Sequence, residues 1–68
     1  MTISEKYYTI MSINDLTFLD ERCNETDTVD SALCIKELSD AKHFLTTLDT
    51  PEDFFVAELI MTCEIKRV

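Results

Sequence analysis

From Ala57 onward the chain alternates: Ala57, Leu59, Met61, Cys63 and Ile65 fall on one side, and Glu58, Ile60, Thr62, Glu64 and Lys66 on the other. A period of two is the pattern of a strand with one buried face. It predicts the longest strand of the fold within Phe55 to Val68, with the rest of the chain arranged around its apolar side. Lys6 to Ile13 reads as a first strand. Tyr7, Thr9, Met11 and Ile13 face one way, and Tyr8, Ile10 and Ser12 the other. Aromatic and β-branched residues dominate it, as strands prefer. Apolar groups on both faces predict cover, at least in part, on both sides.

Asn14-Asp15 separates this run from Leu16-Thr17-Phe18-Leu19 and predicts a tight hairpin. The chain has no glycine, so positive-φ positions are expected at Asn14, Asp15 or Asn24. Asp20 to Asp30 is the polar centre of the sequence and predicts an exposed loop or hairpin tip. Ser31 to Ile35 regains apolar character and reads as a short third strand.

At Ser39 the period changes. Ala41, Phe44, Leu45 and Leu48 fall at i, i+3, i+4 and i+7, one face of a helix. Ser39 is the expected N-cap, with Asp40 at the positive end of the helix dipole. Asp49-Thr50-Pro51 is expected to end the helix, because the residue before proline is pushed out of the helical region. A second helix from Pro51 to about Leu59 competes with a single turn followed by the strand. The sustained alternation after Ala57 favours the single turn. The fold expected is α+β: a small antiparallel sheet of three to four strands in the order β-β-β-α-β, with one helix on a face. Residues 1–68 form one small acidic domain in this reading, with Phe44, Leu45 and Leu48 meeting Leu59, Met61, Cys63 and Ile65.

A chain of 68 residues buries only a marginal core and ordinarily needs a disulfide, a metal or self-association as well. Three cysteines, Cys23, Cys34 and Cys63, exclude a fully paired disulfide framework and lack zinc-type spacing. A reducing, cytoplasmic compartment is the simpler expectation. The first residues lack signal-peptide order, and no apolar run reaches the length of a membrane helix. Self-association, as a homodimer, is the staple left.

No catalytic or cofactor signature emerges. His43, the only histidine, lies beside the helix stripe without a partner group in view. Cys63 and Cys34 fall in strands and read as small buried hydrophobes, and carboxylates around Cys23 disfavour its thiolate. Glu25, Asp27 and Asp30 have part of a calcium-loop spacing but no central glycine. A glycine-rich phosphate loop is impossible, and the six basic residues are too scattered for a nucleic-acid surface. No enzyme, metal or cofactor is therefore expected.

Charge carries the remaining signal. A net charge of −8 disfavours nucleic-acid binding and favours fast association with a basic protein. An apolar content of 46% is too high for a disordered acidic tail. Asp20, Glu21, Glu25, Asp27 and Asp30 form the expected partner-binding cluster, with Glu52 and Asp53 a second, smaller one. In size and acidity the whole chain resembles the small phage-encoded inhibitors of bacterial defence, the anti-CRISPR and anti-restriction proteins. That resemblance rests on no motif. It implies inhibition of a basic host protein in the host cytoplasm. The alternative is a homo-oligomeric module that sequesters a small molecule or nucleotide at a subunit interface. Tyr8, Ile10, Phe54, Val56 and Ile60 are the expected dimer or pocket surface.

Overall fold

The computed structural model describes Met1 to Val68. A four-stranded antiparallel sheet of order β3-β2-β1-β4 carries one helix. The strands are β1 (Thr2–Ser12), β2 (Phe18–Leu19), β3 (Glu25–Thr26) and β4 (Phe54–Glu64), and the helix is α1 (Leu38–Thr46). Strands β1 and β4 pair over eleven positions, from Thr2↔Glu64 to Ser12↔Phe54. Helix α1 packs against both of them. The α+β class and the single helix agree with the sequence pattern. So does the single 3-10 turn Pro51–Asp53 before β4, which removes the competing second helix.

Four details differ from expectation. The third strand is Glu25–Thr26, not Ser31 to Ile35. Ser31 closes a 3-10 turn begun at Val29, and the chain then touches the sheet at two points: the Leu33 amide donates to the Leu19 carbonyl of β2 at 2.8 Å, and Ile35 exchanges backbone bonds with Tyr8 at 2.7 and 2.8 Å. The helix entry follows at once and leaves no length for a strand. The N-cap is Glu37, without a side-chain cap, and Ser39 lies inside the first turn. The positive-φ residues are Leu16 (54°) and Cys23 (61°), not Asn14, Asp15 or Asn24. Each ends a hairpin loop whose closure demands a left-handed residue at that place, whatever its side chain.

The fourth difference is the depth of the core. Ile10, Leu19, Ala32 and Ala41 are its only buried apolar residues. Phe18, Phe44, Leu45, Leu48, Phe54, Phe55, Val56 and Leu59 are half-buried around them. Met61, Cys63 and Ile65, expected against the helix, are exposed. A nine-residue helix is about 14 Å long, whereas an eleven-residue strand runs about 36 Å. One short helix cannot cover such a strand, and the far half of the β1–β4 ribbon projects from the body. The extents of 49 × 24 × 18 Å record that shape.

Candidate functional site

The acidic loop is a built hairpin tip. Asp20 opens a type I-like turn: its carbonyl accepts from the Cys23 amide at 3.0 Å, and its own amide donates to the Asn24 carbonyl at 2.9 Å. Its Oδ1 accepts from the amides of Arg22 and Asn24, both at 2.9 Å. Aspartate is favoured at the first turn position for this reason. Cys23 then takes the left-handed position that completes a three-residue hairpin loop. Beyond β3, the Thr28 amide donates to Thr26 Oγ1 at 3.3 Å, and the turn Val29–Ser31 brings Asp30 back beside the tip.

The result is an open groove of about 420 Å³ lined by Asp20, Glu21, Arg22, Asn24, Asp30, Ser31 and Ala32. Of the five predicted acids, the fold thus gathers Asp20, Glu21 and Asp30 around one groove. Glu25 and Asp27 stand outside its lining, and Glu25 Oε1 accepts from Thr17 Oγ1 at 3.0 Å. Asp20 is half-buried and occupied by the turn, whereas Glu21, Glu25, Asp27 and Asp30 are exposed. Asp20 is therefore a positioning residue rather than an open contact. Arg22, Asn24, Ser31 and Ala32 complete the lining of the same groove. The aspartate at the turn's first position is the signal that would have placed Arg22 and Asn24; Ser31 and Ala32 come to the groove through the separate turn after β3.

Asp20→Ala is expected to destabilise the protein by about 1–2 kcal/mol, since two amides lose their acceptor. Cys23→Gly, which relieves a left-handed side chain, should raise stability by about 1 kcal/mol. Urea unfolding followed by circular dichroism reads both signs.

The other candidates are dispersed. Tyr8, Ile10, Phe54, Val56 and Ile60 do share one face of the ribbon by register. Ile10, however, is wholly buried within the chain and is core, not a dimer or pocket surface. Tyr8, Phe54 and Val56 are half-buried, and Ile60 alone is fully presented. Cys34 and Cys63, expected buried, are exposed like Cys23, and all three are free thiols. His43 is exposed, as its place off the stripe predicts. No three histidine, cysteine or carboxylate side chains converge as a metal-ligating group. On the ribbon, the Tyr7 hydroxyl donates to Glu5, and this bond, aided by partial desolvation, holds the phenol above its ordinary pKa. No helix is long and apolar enough to cross a membrane.

Comparison with known protein families, with curated proteins and with solved structures finds no match to this chain.

Proposed function

We propose that the chain is an acidic interaction protein whose hairpin tip binds and inhibits a basic protein, of the kind phages direct against host defence. The observation that carries this reading is the state of the loop's charges. Of fourteen acidic side chains, only Glu58 and Glu64 are ion-paired, with Lys6 at 3.5 Å and Lys66 at 3.9 Å, and both pairs lie on the ribbon. Glu21, Glu25, Asp27 and Asp30 form no ion pair within the chain, although Arg22 lines the groove with Glu21 and Asp30. Such carboxylates set up a negative field that steers a basic surface toward them. The turn built on Asp20 holds them in place beforehand, which lowers the ordering cost of binding. Exposed Val29, between Asp27 and Asp30, adds an apolar contact within the charged rim. A partner that normally holds phosphates in its basic groove would be blocked by carboxylates occupying it.

The test is affinity capture. The chain is immobilised, exposed to an extract of the cells in which it acts, and eluted with rising salt. A protein with a basic surface, captured at low salt and released as salt rises, is the expected product. Capture of only neutral or acidic proteins would refute the reading.

A further inference from the structure

The sheet ends in an edge that nothing in the chain covers. β4 is its last strand, and its eleven pairs with β1 run without a bulge. Ile65 and Met1 exchange backbone bonds in both directions, at 2.6 and 2.8 Å. Mutually bonded pairs alternate along an antiparallel ladder. Odd-numbered β4 residues therefore bond β1, and the even-numbered Glu58, Ile60, Thr62 and Glu64 turn their N–H and C=O groups to the open edge. Proteins ordinarily blunt such an edge with proline, lysine or a bulge; Phe54–Glu64 has none of them. Ile60, Met61 and Ile65 are exposed along it.

We infer that β4 pairs antiparallel with β4 of a second copy of this chain, about a two-fold axis at Thr62. Charge selects the register. Axes at Glu58 or Glu64 would set a carboxylate against itself, and an axis at Met61 would set Glu58 against Glu64; like charges directly opposite are destabilising. An axis at Ile60 leaves Glu58 opposite Thr62. The axis at Thr62 sets Glu58 opposite Lys66 of the second copy, twice. Glu58 already lies 3.5 Å from Lys6, so its carboxylate comes to rest between two ammonium groups. On the other face, Leu59, Met61, Cys63 and Ile65 meet Ile65, Cys63, Met61 and Leu59 of the second copy. The contact is isologous and closes after two copies. It joins the sheets at β4 and leaves the acidic hairpin, two strands beyond β1, on each outer edge. The pairing holds whatever the hairpin binds.

Light scattering after size exclusion of the full chain is expected to read twice the 7.9 kDa chain mass at micromolar concentration. Thr62→Pro removes an outward N–H without touching the β1 ladder and should weaken self-association at least tenfold. Ser4→Pro is the matched control. Ser4 is the register partner of Thr62, and like Tyr8 and Ser12 it turns its N–H away from β4. That variant should remain dimeric. A covalent readout serves if the proline variants do not fold. With Cys23 and Cys34 changed to serine, Met61→Cys stands opposite Cys63 of the second copy. The Cα separation there is about 4.5 Å, within disulfide reach. Oxidised glutathione should link that variant into dimers, and Leu59→Cys, set opposite Ile65, no more than the parent. A monomeric wild type overturns the inference and leaves the edge to a strand of another protein. Equal linking of the two cysteine variants, or loss of the dimer in Ser4→Pro alone, overturns it also.

Discussion

Ile10→Ala is expected to lower the unfolding free energy by about 2–5 kcal/mol, the largest stability effect of any single truncation in this chain. Ile10 is the largest wholly buried side chain, and it sits in the buried C-terminal part of β1, opposite Val56 of β4. A fold of this length is worth on the order of 3–10 kcal/mol in total. The variant should therefore be substantially unfolded at physiological temperature. Its neighbour carries the opposite sign. Thr9 is equally buried, and its hydroxyl has no hydrogen-bond partner. Thr9→Val removes that orphaned group at nearly constant shape and should raise stability by about 1–2 kcal/mol. Urea midpoints for the two variants read both signs. A Thr9→Val protein less stable than the parent would mean that the hydroxyl is satisfied in solution.

Reversing Glu21, Glu25, Asp27 and Asp30 to lysine is expected to weaken capture of a basic partner by about a hundredfold or more at low salt. The fold should be little affected, because all four side chains are exposed, none takes part in an ion pair, and the one hydrogen bond lost, from Thr17 Oγ1 to Glu25, lies on the exposed surface. Asp20 is left in place, since removing it would loosen the turn and confound the reading. The same reversal at Glu52 and Asp53 should change affinity far less, because those residues belong to the turn before β4. Competition binding with the captured partner, alongside circular dichroism of each variant, separates lost affinity from lost structure.

The legible parts of the fold were those set by local chemistry. Aromatic and β-branched residues marked β1, the spacing of Ala41, Phe44, Leu45 and Leu48 marked the helix, and Pro51 marked a single turn before β4. The parts that were not legible depend on what lies across from a residue. Alternation in β4 shows which side chains share a side, but not that a nine-residue helix stops short of Met61, Cys63 and Ile65. Loop closure, not side-chain preference, put Leu16 and Cys23 at positive φ. The acidic cluster was plain in the composition. That Asp20 builds the tip while Glu21, Glu25, Asp27 and Asp30 stand open was not, because the distinction rests on two backbone amides.

The central claim is that uncompensated carboxylates on a prebuilt hairpin meet positive charge. The deciding measurement is the dissociation constant of the captured partner as ionic strength rises from about 0.1 to 1 M, over which the Debye length falls from about 10 to about 3 Å. Wild-type affinity is expected to drop steeply across that range, and the four-lysine variant to start weak and not fall further. A wild-type affinity that holds constant in concentrated salt would contradict the claim.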